Sequence, residues 1–168
     1  MVGQGYHIAL SREDAKTIFG LKDDDNLRRF LEDLRTRPDV KKSGRLLESG
    51  TKWDPIHRCL SDGSLDPAAG DFPLNHAVLG GKQLHRGPDY TAVLVRPDMT
   101  QFIADALAGL DEDAIRKNFF ALKPDAYAGP VDKKQFIELW LMLRNLGVFF
   151  EAAAANHEAV VFTAKFDA

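Results

Sequence analysis

Between Asp132 and Asn156 almost every turn of a helix would carry apolar side chains on all sides. Phe136, Ile137, Leu139, Trp140, Leu141, Met142, Leu143, Leu146, Val148, Phe149 and Phe150 leave only a narrow polar stripe at Lys134, Glu138 and Asn145. A helix apolar all round belongs in an interior. Asp132 with Gln135 three residues later forms a capping-box start, and Asn156 tolerates the left-handed conformation that ends helices. At about 1.5 Å per residue such a helix runs to roughly 35 Å, enough to cross a small domain. A membrane span is the competing reading. Arg144 and Asn145 interrupt the apolar run short of the roughly 18 residues a span needs, so the core helix is favoured.

A chain of 168 residues suits one domain, 1–168, with one well-buried core. With 25 acidic and 22 basic residues the net charge is −3, which gives no electrostatic footprint for nucleic acid or an anionic membrane. Cys59 is the only cysteine, and the segment MVGQGYHIAL has neither a basic stretch nor a long apolar one. The expected compartment is the cytoplasm.

Periodicity assigns the remaining elements. Tyr6, Ile8 and Leu10 alternate as in a strand, and Ser11 caps a helix that stops at Gly20. Asp23, Asp24 and Asp25 open a second helix with Leu27, Phe30, Leu31 and Leu34 on one face, ended by Pro38. Those aspartates read as a solvated helix start rather than a metal site. The basic run Arg35, Arg37, Lys41, Lys42 and Arg45 has no interleaved aromatics to stack bases and reads as a solvated loop. Asp54 before Pro55 predicts an N-cap and a first helical residue, opening a short helix that carries His57 and Cys59. An irregular stretch, 61–73, follows; such a loop inside a compact domain is more often a binding feature than an accident. Gly80-Gly81 predicts a helix C-cap running into a turn. Thr91 to Val95 reads as a strand, and Pro97 opens a helix whose apolar set includes Met99, Phe102, Ile103 and Leu107. Asp111 caps another helix, and Val160, Phe162, Ala164 and Phe166 form one face of a closing strand. The result is an α+β domain: a small mixed or antiparallel sheet packed with several helices around a long buried C-terminal helix.

The residues Lys52-Trp53-Asp54-x-x-His57, then Pro73-Leu74, then Ala77-Val78-Leu79-Gly80-Gly81, resemble the signature of the YfbM-like family of bacterial proteins, a domain of unknown function. The likeness extends over nearly the whole chain and implies a single α+β domain, with no established catalytic residue or cofactor. Where that family has a tyrosine-proline before the last long helix, this chain has Tyr127-Ala128-Gly129-Pro130.

Three constellations invite chemistry. Asp54 and His57, three apart, can share one side of a helix start as an acid and the histidine it orients, although a capping Asp54 beside a half-buried His57 is the favoured reading. Cys59 and His57 face different sides of a helix and form no local nucleophile-base pair. His57, His76 and His85 lack zinc-ligand spacing. Neither a catalytic motif, a metal nor a cofactor is therefore expected. The leading expectation is a protein-binding module, an inhibitor or immunity-type partner of another protein, with Trp53, Asp54, His57, His76, Gly80 and Gly81 as candidate contact residues. The alternative is a small-molecule binder or enzyme using a cleft near Trp53, His57 and Gly80. Phe72, Leu74, Val78 and Leu79 are expected to close over the Trp53 ring.

Overall fold

The computed structural model describes residues 3–166. Five strands, β1 (Gly5–Leu10), β2 (Leu46–Gly50), β3 (Lys82–Arg86), β4 (Tyr90–Val95) and β5 (Ala159–Lys165), form one antiparallel sheet in the order β2-β1-β5-β4-β3. The sequence reading anticipated β1, β4 and β5. The two it missed, β2 and β3, are the sheet's edges, where half-exposed strands such as Lys82–Arg86 carry no clean alternation.

The central strands are buried on both faces, because side chains alternate between two helical layers. One row across the sheet, His7, Phe162 and Val93, faces one layer; the next, Ile8, Val161 and Leu94, faces the other. The second row packs against α1 (Arg12–Gly20), α2 (Asp24–Thr36) and α3 (Pro38–Lys42) through Ile18, Leu27, Leu31, Leu34 and Val40. The stretch read as a basic loop is thus partly the short helix α3, with Arg45 beyond it bonded to Glu158 at 2.7 Å. The first row packs against α4 (Trp53–Leu60), a 3-10 turn at Leu74–Ala77, α5 (Pro97–Ala108), α6 (Glu112–Phe120) and α7 (Lys133–Ala155).

The caps at Ser11, Asp23, Asp111 and Asp132 each accept a backbone N–H of their helix's first turn, as the sequence reading required. Two others differ. Asn156 is not left-handed; the next residue, His157, takes φ 52°, and the amides of His157 and Glu158 close back on Ala154 and Ala153 in a Schellman arrangement. Nor is α7 buried all round. Phe136, Leu139, Leu143, Leu146, Phe149 and Phe150 enter the core, whereas Ile137, Leu141 and Val148 are 49%, 58% and 66% exposed, because only one side of α7 meets the sheet and α5.

Candidate functional site

The short helix α4 begins two residues earlier than proline placement suggests, at Trp53 rather than Pro55. Lys52 is its N-cap and makes no capping bond; its ammonium reaches across to Gln135 and Glu138 of α7 instead. Asp54 therefore lies inside the helix and does not cap it. Its carboxylate is buried and takes the Nε–H of Arg58, one turn on, at 2.8 Å. A carboxylate placed in the core needs such a charged partner. Arg58 in turn donates to the Gly63 carbonyl at 3.1 Å, and its guanidinium lies 5.8 Å from the ring centre of Tyr127.

Asp54 does not orient His57. The His57 ring is buried, with Nε2 3.1 Å from the Asp66 carbonyl and Nδ1 facing no polar partner among the described residues. Burial, the largest influence, lowers its pKa and holds it neutral at pH 7. Cys59 is equally enclosed, and burial pushes its thiol up to about 12, so little thiolate forms at neutral pH.

Trp53 is 1% exposed and donates its Nε1–H to the Gly3 carbonyl at 2.9 Å. Its ring sits against Phe162 and Phe166, with centroids 5.4 and 5.9 Å away. Val78 and Leu79 share that cluster, with Leu74 packed against it, but Phe72, also expected over the indole, does not. Phe72 turns outward, 45% exposed, and meets His76 edge-on at 4.8 Å and Phe102 of α5 at 6.0 Å. Phe102, assigned by the sequence reading to the buried side of its helix, is 59% exposed. The signal for this was present: Thr100, Ile103, Ala104 and Leu107 define the buried face, and Phe102 falls off it.

The segment under this aromatic surface is held by polar side chains from below. His7 of β1 is fully buried with Nε2 2.8 Å from the Ala77 carbonyl, and burial lowers its pKa to about 4. The Asn75 amide donates to Ala69, and its Oδ1 meets His76 Nδ1 at 2.7 Å. His76 is half-buried, and burial lowers its pKa. Gly80 and Gly81 are needed for close approach rather than for a left-handed cap. A Cβ on Gly80 would lie 2.3 Å from the Asn75 carbonyl oxygen, and one on Gly81 2.5 Å from that of Leu94.

The six sequence-nominated residues therefore divide. Trp53, Asp54 and His57 are interior supports, Gly80 and Gly81 are points of backbone contact, and His76 alone reaches the exposed aromatic surface. Trp53 does edge a cleft of about 200 Å³, but its other walls are Leu65, Pro67, Leu79, Gln83 and Phe166 with Arg86 at the rim. A larger cavity, about 690 Å³, lies at the far end of the sheet between Arg12, Arg45, Pro97 and His157. The Arg45 charge there is matched by Glu158, leaving Arg12 as the guanidinium without a carboxylate partner among the described residues. Also among the described residues, no group of three or more His, Cys, Asp or Glu is gathered as for a metal ion, and no helix is long and apolar enough to cross a membrane.

Comparison with known proteins adds fold and family. The chain is 21% identical to a crystal structure described as a protein of unknown function, YfbM from Escherichia coli, with a TM-score of 0.70 over 98% of this chain and 99% of that one. At that identity the likeness carries the α+β fold. No curated protein matches the chain. The model of the family described as domain of unknown function (DUF1877) matches residues 1–163, and the chain belongs to that family.

Proposed function

We propose that this protein is a protein-binding module whose contact surface is centred on Phe72, His76 and Phe102. The observation that carries this reading is an exposed aromatic cluster formed between helix α5 and a loop whose backbone is fixed from beneath by buried side chains. Aromatic side chains held rigid at a surface lose little entropy on binding and dominate the energetics of interfaces. Most exposed apolar residues stand singly and need no explanation; two phenylalanines in contact beside a polar ring form the nucleus of a patch. In this reading Trp53, Asp54, His57, Gly80 and Gly81 support the surface without touching the partner. A small rigid module of this kind suits an inhibitor or immunity-type role, acting in the cytoplasm.

The test is affinity capture of the tagged protein from its native cell, run beside the double variant Phe72→Ala, Phe102→Ala. One stoichiometric partner retained by the parent and lost by the variant, with melting behaviour unchanged, supports the reading. A partner retained equally by both removes this surface from consideration. Loss of a measured turnover in a folded His57→Ala protein would replace the module with an enzyme.

A further inference from the structure

The exposed side of α7 is patterned in a way that the aromatic surface does not account for. Ile137, Leu141, Arg144, Val148, Glu151, Ala152 and Ala155 fall on one solvent-facing stripe of the helix. At 100° per residue, Leu141 and Val148 lie within about 40° of Ile137, and Arg144 and Glu151 flank them on one side. Neither Arg144 nor Glu151 has an ion-pair partner among the described residues, although the Arg144 guanidinium rests 5.8 Å from the ring centre of Trp140.

We propose that this stripe binds a second copy of the same chain, the two α7 helices running antiparallel about a two-fold axis at Val148. The argument is the order of residues along the stripe. At about 1.5 Å per residue, Arg144 lies about 6 Å before Val148 and Glu151 about 4.5 Å after it. A two-fold axis at Val148 therefore sets each Arg144 against the partner's Glu151 with a mismatch of about 1.5 Å, within the reach of an arginine, and does so twice. The same operation sets Leu141, about 10.5 Å before the axis, against the partner's Ala155, about 10.5 Å beyond it. Large residues of one helix thus meet small residues of the other. Parallel pairing in register gives the reverse: arginine on arginine, glutamate on glutamate and leucine on leucine. The sequence of the stripe is self-complementary in one direction only, which favours a closed dimer over an open filament.

The surface beside the stripe is shaped for approach. Gly147, without a side chain, lies against Leu107 of α5, and a shallow groove lined by Leu107, Ala108, Leu143 and Gly147 runs next to Val148. Ridges of one helix seat in grooves of this kind. With the axis at Val148 the two stripes overlap from Leu141 to Ala155, about 21 Å long and one helix wide, so the interface falls below the range of stable complexes and among the weak, transient ones. The dimer is accordingly reversible, and it weakens with salt because its ion pairs are exposed.

Sedimentation equilibrium over about 10 µM to 1 mM protein, a range that brackets weak association, tests this. The parent chain should pass from monomer to dimer. Arg144→Glu and Glu151→Arg each place like charges together and should weaken association about tenfold or more, and the double exchange Arg144→Glu, Glu151→Arg should restore it. All these positions are exposed, and circular dichroism confirms that each variant is folded. A parent that stays monomeric at the highest concentration overturns the proposal and leaves the stripe to a different protein. So does a dimer indifferent to either single reversal, or single reversals that the double exchange does not repair.

Discussion

The two helical layers on the sheet solve the same burial problem by different means. The layer of α1, α2 and α3 is built from regular helices whose inward side chains are mainly aliphatic, and its ion pairs each keep a partly exposed partner: Arg37 bridges the buried Asp14 and the exposed Asp39, and Arg28 reaches Asp89. The layer of α4 to α7 buries His7, Asp54, His57, Arg58 and Thr100 among its apolar side chains. The difference follows from the irregular backbone between residues 61 and 81. Helices and strands satisfy their own carbonyls, whereas an irregular segment pressed against a core must find donors elsewhere. His57 meets the carbonyl of Asp66, Arg58 that of Gly63, Asn75 that of Ala69 and His7 that of Ala77. The buried polar residues that looked like a catalytic constellation are the fastenings of a loop.

The sharpest way to break this contrast is at Trp53, whose indole joins that loop to β5. Trp53→Ala should cost roughly 3 to 5 kcal/mol, toward the upper end, because a fully enclosed ring is lost and the Gly3 carbonyl loses its donor. Trp140→Ala on α7 should cost distinctly less, since that ring is only half-buried. Urea midpoints of the two variants decide it. Equal losses would mean that the α4 segment is no more the keystone of this layer than the long helix is.

The next largest effect should separate two ion pairs of the same residue types. Arg58→Ala leaves the Asp54 carboxylate buried without its cation, for which the expected loss is about 3 kcal/mol, the lower end of the range for broken buried pairs. Arg37→Ala removes the guanidinium beside Asp14, but Arg37 is more than a third exposed and the loss should stay at or below about 1 kcal/mol. A double variant Asp54→Asn, Arg58→Met should recover part of the first loss, since it leaves no unpaired charge. No recovery would show that Arg58 matters through its hold on Gly63 rather than through Asp54.

The contrast also explains what the sequence disclosed. In the first layer α1 and α2 were legible because their caps and apolar spacing are local: Ser11 with Asp14, Asp23 with Asn26, and Leu27, Leu31 and Leu34 on one face; the five-residue α3, too short to show a period, was read as loop. The long helix α7 was legible in position and ends but not in exposure, since its apolar pattern serves a core on one side and a free surface on the other. In the α4 segment, local rules misassigned roles. Proline after Asp54 suggested a cap, yet the aspartate is fixed by Arg58 on the next turn. Phe72 was placed over Trp53 as one of the apolar residues near it in sequence, but its actual neighbour, Phe102, comes from α5. Partners far apart along the chain, such as His7 and Ala77, leave no periodic trace.

A last test, read as a change of slope, asks whether the histidine fastenings act through neutral side chains. His7 titrates at about 4 in the folded protein because burial disfavours its charged form, against about 6.5 when unfolded. Between those values the unfolded chain binds a proton that the folded chain does not, so stability rises with pH across this window. The contribution is complete above pH 6.5 and is lost as pH falls toward 4, up to about 3 kcal/mol from a shift of this size. His57, also lowered by burial, adds a loss of the same sign. His7→Gln keeps an amide donor for the Ala77 carbonyl while removing the titration. Its urea midpoint should therefore fall less steeply between pH 6.5 and 4 than the parent's, even if its stability at pH 7 is somewhat lower. Parallel slopes would mean that His7 is not buried as a neutral donor, and the account of this layer's histidines as uncharged fastenings would lose its central member.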